Sequence, residues 1–206
     1  MVNLVTSYNR SKFRAPLEAM HRDRKKVFVD ALKWDIPVID GQYEIDQFDT
    51  DAAIYLVALD QLNQRHLGSV RLLPTTGPHL MSEIFPFLCE KGVPVGDDIW
   101  EITRLCTTPS RDIEPRLIRR RIATAMCEFG LLYGISKYTC VTHIQYLSHL
   151  LALGWECEPL GEPKEVNGEV IGAMSIGITP ATLQLFREKM GSRTPVLQLD
   201  AFAQAA

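Results

Sequence analysis

This 206-residue chain has no apolar run long enough to span a bilayer, so no membrane helix is expected. It has no strong charge of either sign. Its 22 basic and 25 acidic residues give a net charge of −3, and nothing global points to nucleic acid. No C-x-x-C pair joins the five cysteines, Cys89, Cys106, Cys127, Cys140 and Cys157. Their odd number and apolar surroundings argue for reduced core thiols in a cytoplasmic protein rather than a disulfide framework. The five histidines lack the H-E-x-x-H spacing, so no metal site is expected. The N-terminus, Met1-Val2-Asn3-Leu4-Val5-Thr6, lacks a basic start, an apolar block and a cleavage signal, which argues against secretion. No internal repeat or low-complexity tract occurs. What is present, 46% hydrophobic and 23% charged residues, suits one soluble domain, 1–206, with a sizeable core.

Apolar spacing predicts a helix over Ser11–Leu32, with Pro16 near its start, then a polar loop over Pro37–Thr50. Ala53–Leu59 and Leu67–Leu73 read as an antiparallel hairpin turning at Asn63. Met81–Cys89 reads as a short helix broken by Pro86. The clearest helix is Ile113–Tyr133, with Pro115 at its start, Gly134 at its end and Ile118, Ile122, Ala125, Met126 and Phe129 at helical spacing. Strands are expected at Tyr138–Thr142, around Cys157 and over Glu169–Ile178. Helices are expected at Gln145–Leu153 and from Thr179-Pro180 to Lys189. The sum is an α/β three-layer sandwich with a mixed central sheet, resembling the acetyltransferase-type N-acyltransferase fold. Residues 1–50 are expected to be partly mobile and to cover a substrate, and the tail 191–206 is of uncertain order.

Ile99-Trp100-Glu101-Ile102-Thr103-Arg104 reads as a buried strand carrying a carboxylate and a guanidinium. A charge in such a strand is expensive unless paired or used. Strand alternation puts Glu101 and Thr103 on one face and Arg104 on the other, unless a bulge or twist intervenes. The bland reading is a staple in which Glu101 pairs with Arg104 or Arg71. A second set of charges, Arg24, Asp46, Asp49 and Arg71, lies upstream with the aromatics Phe28 and Trp34.

Arg24-x-x-x-Phe28 with Trp34, Glu44-x-Asp46-x-Phe48-Asp49, Arg71-Leu72-Leu73-Pro74-Thr75, Trp100-Glu101-x-Thr103-Arg104 and Gly154-Trp155 follow one another in order. Together they resemble the acyl-homoserine lactone synthases, the autoinducer synthases of bacterial quorum sensing, over roughly residues 3–190. The resemblance implies two substrates and no cofactor. S-adenosylmethionine supplies the lactone moiety. An acyl thioester, on acyl carrier protein or coenzyme A, supplies the acyl chain. The methionine amine attacks the thioester, and the carboxylate then displaces methylthioadenosine.

That chemistry needs a base for the ammonium proton, and Glu101 is the candidate. With it, Arg104, Asp46 and Arg71 are placed in the catalytic set, Arg104 looking most like a brace for Glu101. Arg24, Phe28, Trp34, Asp49 and Thr103 are substrate-binding candidates. The rings would serve the adenine or sulfonium, or simply pack in the core. Of Asp46 and Asp49, at least one is expected to order the loop through arginine. Backbone amides near Leu105 and Cys106 would meet the thioester oxygen. Ile122, Met126 and Thr142 are candidates for the acyl pocket.

Coenzyme A acetyltransferases carry a glycine-rich turn after the central strand. Here Thr107–Pro115 has no glycine, which favours a carrier-protein donor. Arg111, Arg116, Arg119 and Arg120 form a basic cluster suited to an acidic carrier, or a solvated helix start. The alternatives are a coenzyme A N-acetyltransferase acting on another amine, and a sensor that binds an acyl group or S-adenosylmethionine without turnover. The acyl chain, its carrier and the oligomeric state stay open.

Overall fold

A computed structural model describes residues 1–199 except 61, 63, 111, 113, 154 and 192. In chain order it has strand β1 (Val2–Val5), a 3-10 turn (Arg10–Phe13), helix α1 (Arg14–Arg24) and a π-helical stretch (Lys25–Ala31). There follow β2 (Val38–Ile39), β3 (Tyr43–Glu44), β4 (Ile54–Leu59), β5 (His66–Pro74), α2 (Leu80–Glu83) and a 3-10 turn (Pro86–Leu88). The rest is β6 (Ile99–Thr107), α3 (Pro115–Tyr133), β7 (Lys137–His143), α4 (Ile144–Leu153), β8 (Glu156–Pro159), β9 (Lys164–Val166), β10 (Glu169–Gly177), α5 (Pro180–Met190) and β11 (Leu197–Gln198). The class is mixed α/β with a large mixed sheet.

The chain divides into two compact units. The first is Met1–Arg71 with Arg104–Ala125 and the residues from Thr194. The second is Leu72–Thr103 with Met126–Arg193. Strands β5 and β6 and helix α3 contribute residues to both.

In the first unit the strand order is β11-β1-β4-β5-β6. Strand β1 runs antiparallel to β4, from Val2↔Ala58 to Val5↔Tyr55, and parallel to β11 at Val2↔Leu197. So part of the tail has a fixed place. Tyr55 to Leu59 are all buried, as a strand covered on both faces requires. Helix α3 packs closely here, and Gly68 makes room for it. A Cβ at Gly68 would lie 2.7 Å from Ile118 Cγ2 and 2.9 Å from the Cys106 carbonyl oxygen.

In the second unit the order is β5-β6-β7-β10-β8, with β9 on β10. The β6–β7 pairing is parallel and short, from Ile99↔Lys137 to Glu101↔Thr139. Strand β10 runs antiparallel to β7 from Ile171↔His143 to Gly177↔Lys137. Thr179 caps α5 by accepting the Thr182 N–H at 3.2 Å, and Gly191 closes it at φ 64°.

Two expectations differ in detail. The helix over 11–32 is three pieces, with a π-helical end. The loop over 37–50 contains the small β2–β3 hairpin, turned by Asp40-Gly41 at φ 51° and 66°. A second small hairpin, β9–β10, turns at Asn167-Gly168 with φ 52° and 82°. Both turns are of the kind that Asp-Gly and Asn-Gly favour. The five cysteines are free thiols, four of them buried. Among the described residues, no helix is long and apolar enough to cross a membrane.

Candidate functional site

The first unit holds a closed ring of alternating charges. Arg24 ends α1, and its guanidinium grips both Asp49 oxygens at 2.8 and 2.9 Å while its Nε donates to Glu44. Glu44, at the end of β3, also accepts from Arg104 Nε at 3.1 Å. Arg104 Nη2 donates to Asp46 at 2.7 Å. Asp46 takes a bidentate pair from Arg71 at 2.6 and 2.9 Å. Arg71 Nη1 lies 2.9 Å from Asp49, which closes the ring. Three guanidiniums meet three carboxylates, so the ring is neutral, as burial at this depth demands. Tyr55 donates its hydroxyl to Asp49 at 2.7 Å, and the Asp46 N–H donates to Asp49 at 2.9 Å.

The ring sets the electrostatics of its members. Burial pushes the Asp46 and Asp49 carboxyls up, but the facing arginines outweigh it and hold both below the usual carboxylate range. Arg24 and Arg71 are raised despite their burial. Arg104 is lowered, because burial outweighs Glu44 and Asp46. Its backbone is left-handed at φ 53°, which costs about 1–2 kcal/mol outside glycine. This left-handed residue interrupts the regular extended backbone of β6. The brace expected between Arg104 and Glu101 is replaced by partners about 60 residues upstream, Glu44 and Asp46.

Phe28 lies in the π-helical stretch, a geometry frequent at functional sites. Its ring stacks on Trp34 with centroids 4.9 Å apart and planes 17° apart. The Arg104 guanidinium sits 5.6 Å from the Phe28 centroid. Phe28 is buried and Trp34 half-buried. Beside the ring runs a second polar chain that sequence reasoning missed. His66 Nδ1 lies 2.9 Å from Asp23, and its Nε2 lies 3.1 Å from Ser69 Oγ. Burial works against the Asp23 charge, yet His66, Lys26 and Thr108 pull its carboxyl down to about 2. Ser69 Oγ is 3.8 Å from Cys106 Sγ, and burial pushes that thiol up to about 11.

The second unit holds Glu101, which is fully buried. Its carboxylate accepts the Leu80 N–H at 2.7 Å and the Met81 N–H at 2.8 Å. Thr139, opposite it in the β6–β7 ladder, is buried with no hydrogen-bond partner for its hydroxyl among the described residues. Thr103 is buried. In the first unit, Leu105 is half-buried and Cys106 buried.

Of the acyl-pocket candidates, Thr142 lines a cleft of about 70 Å³ with Ile144, Leu147, Pro159, Gly161 and Met174. Ile122 and Met126 are buried; Ile122 packs beside Gly68 in the first unit, and the Met126 carbonyl accepts the Tyr138 hydroxyl at 2.9 Å in the second. Arg116, Arg119 and Arg120 are exposed at the start of α3, while Arg111 lies outside the described residues. Gly154 is outside them too. Trp155 is buried edge-on against Phe186, with centroids 4.6 Å apart.

Residues 8–183 match the model of the family described as autoinducer synthase. The isovaleryl-homoserine lactone synthase of Bradyrhizobium diazoefficiens is 30% identical over 210 residues, spanning 100% of this chain and 94% of that protein. The solved structure of BjaI, a CoA-dependent acyl-homoserine lactone synthase with SAM and isopentyl-CoA, is similar at a TM-score of 0.90 and 29% identity, covering 97% of this chain and 93% of that one. MesI, a second CoA-dependent synthase, gives 0.85 at 32% identity, with 96% and 98% covered. An acyl-CoA N-acyltransferase from Pseudomonas aeruginosa shares the fold alone, at 0.54 and 15% identity, with 85% and 98% covered. With the family's ordered motifs gathered into a charge ring and a buried glutamate, and with its model matched over most of the length, this chain belongs to the autoinducer synthase family.

Proposed function

We propose that this chain is an acyltransferase that makes N-acyl-homoserine lactones from S-adenosylmethionine and an acyl thioester. The observation that carries the reading is the contrast among its buried acids. Glu44, Asp46 and Asp49 are each engaged by two guanidiniums, and Asp46 and Asp49, held below the usual carboxylate range, make poor bases. Glu101 accepts the Leu80 and Met81 N–H groups and is the acid we assign to take the ammonium proton, directly or through one water. The freed amine forms an amide with the acyl carbon as the thioester C–S bond breaks and the thiol leaves. The methionine carboxylate then attacks the γ-carbon, the sulfonium C–S bond breaks and methylthioadenosine leaves. No cofactor takes part.

The ring orders residues 1–50 over the substrate and presents Phe28 and Trp34 to the adenine and sulfonium. Arg71 and Arg104 are the ring members we assign to the substrate carboxylate, and Thr103 is assigned to substrate binding. Amides near Leu105 and Cys106 meet the thioester oxygen as it gains charge. The acyl tail enters the cleft at Thr142, whose volume suits a tail of a few carbons.

We take the donor to be acyl-CoA. The similarity to two CoA-dependent synthases supports this over the carrier protein that the missing glycine turn suggests. Exposed Arg116, Arg119 and Arg120 suit the phosphates of coenzyme A as well as an acidic carrier. The cytoplasm supplies both substrates and keeps the thiols reduced.

The test is methylthioadenosine release by purified protein with short, branched and long acyl-CoAs, beside the same acyl groups on carrier protein. Glu101→Gln is expected to lower kcat about 10²–10⁴-fold while S-adenosylmethionine still binds. No release with any thioester, at full binding, would make the chain a sensor. Acylation of another amine without release would make it an N-acetyltransferase.

A further inference from the structure

Glu101 is held by a helix only one turn long. Helix α2 has four residues, Leu80–Glu83, far below the length at which a helix sustains itself in water. Its N–H groups at Leu80 and Met81 reach the carboxylate only while that turn is held from outside.

The segment before it is anchored upstream at Thr75. The Thr75 N–H lies 3.3 Å from the Ile99 carbonyl on β6, and its hydroxyl lies 2.7 Å from the same oxygen. Between this anchor and α2 the chain carries His79, at the N-terminal boundary of the helix and 1% exposed. Its Nδ1 lies 2.8 Å from the Gly77 carbonyl oxygen and 3.1 Å from Ser82 Oγ. A carbonyl only accepts, so Nδ1 carries the proton. The Ser82 hydroxyl in turn donates to the His79 carbonyl at 2.9 Å. The ring therefore ties the Gly77 turn to the first turn of α2. Its other nitrogen, Nε2, is buried with no partner among the described residues. All the local hydrogen bonding of the side chain passes through Nδ1.

We propose that His79 is a positioning residue for Glu101, acting through Nδ1 to fix the turn whose two N–H groups hold the carboxylate. Two backbone donors favour the ionised carboxylate. Loosening them raises the Glu101 titration midpoint and spoils its aim at the amine. Cys89 and Cys140 are titratable groups that feel the Glu101 charge. Burial raises both thiols, Cys140 to about 12, so neither titrates across the working range. The kinetic consequence rests on the reading of Glu101 as the base; the structural one does not.

The experiment compares His79→Ala, His79→Asn and His79→Gln in the full chain, each checked by thermal unfolding. The Asn amide nitrogen replaces Nδ1, whereas the Gln amide nitrogen replaces Nε2. Glu101 is titrated by carboxyl carbon NMR, assigned against Glu101→Gln. In His79→Ala the midpoint is expected to rise by about one pH unit. kcat is expected to fall roughly tenfold with both KM values within about twofold, and the acid limb of the rate profile to move up. Asn restores midpoint and rate, and Gln does not. Rescue by Gln and not Asn overturns the proposal, because the role would then belong to Nε2. A rate loss with an unmoved midpoint also overturns it. A raised midpoint with an unchanged rate upholds the positioning and removes Glu101 as the base.

Discussion

The charge ring of the first unit and Glu101 of the second hold their buried carboxylates with different kinds of donor. In the first, Glu44, Asp46 and Asp49 are held by guanidiniums in a neutral ring. In the second, Glu101 is held by two peptide N–H groups from a one-turn helix. A full positive charge fixes an acid in its ionised form and spends its lone pairs on geometry. Backbone dipoles orient an acid yet leave it able to exchange a proton. The first arrangement suits scaffolding and the second suits chemistry.

The sharpest way to break this contrast is to neutralise one acid of each kind. Glu101→Gln has the largest expected effect, the kcat loss given above, with a small change in unfolding. Asp49→Asn should do the reverse. It leaves Arg24 and Arg71 short of a buried counter-charge and costs about 3–5 kcal/mol of stability, read by urea unfolding. Should Glu101→Gln unfold the protein as severely as Asp49→Asn while sparing turnover, Glu101 is one more structural acid.

Acid should also separate the two regions. Asp46, Asp49 and Asp23 have folded values depressed below their unfolded ones. Their stabilisation is therefore complete above the unfolded carboxylate range and is lost as pH falls through the folded values. For Asp23 that window runs from 3.8 down to about 2. The unfolding midpoint should be level above about pH 5 and fall steeply below about pH 4, and Asp46→Asn should flatten the fall.

The smallest effect is expected at the surface. Replacing Arg116, Arg119 and Arg120 together by alanine should change stability by less than about 0.5 kcal/mol. Any kinetic change should lie in the KM of the acyl donor and shrink with salt.

Much of the fold was legible because its signals are local. The spacing from Ile118 to Phe129, the Thr179-Pro180 start and the glycines at 134 and 191 mark helices by backbone preference alone. The Asp40-Gly41 and Asn167-Gly168 dipeptides are local hairpin signals of the same kind, within the loop over 37–50 and before Glu169. Glu44 belongs to the acidic motif, but an acid in a polar loop looks solvated and its pattern alone assigns it no role. Only its burial between Arg24 and Arg104 reveals it. His66 and Asp23 are 43 residues apart in the chain, and no spacing rule joins them.

The sequence by itself determined the secondary elements, the family and the kinds of residue that carry the chemistry, since φ/ψ preference and apolar period act over a few positions. Which acid meets which arginine was decided only by tertiary structure. Arg104 turned from its neighbour Glu101 in the chain to Glu44 and Asp46, and Glu101 took its donors from Leu80 and Met81. Burial makes every unpaired charge costly, so pairing follows proximity in the folded core rather than order along the chain.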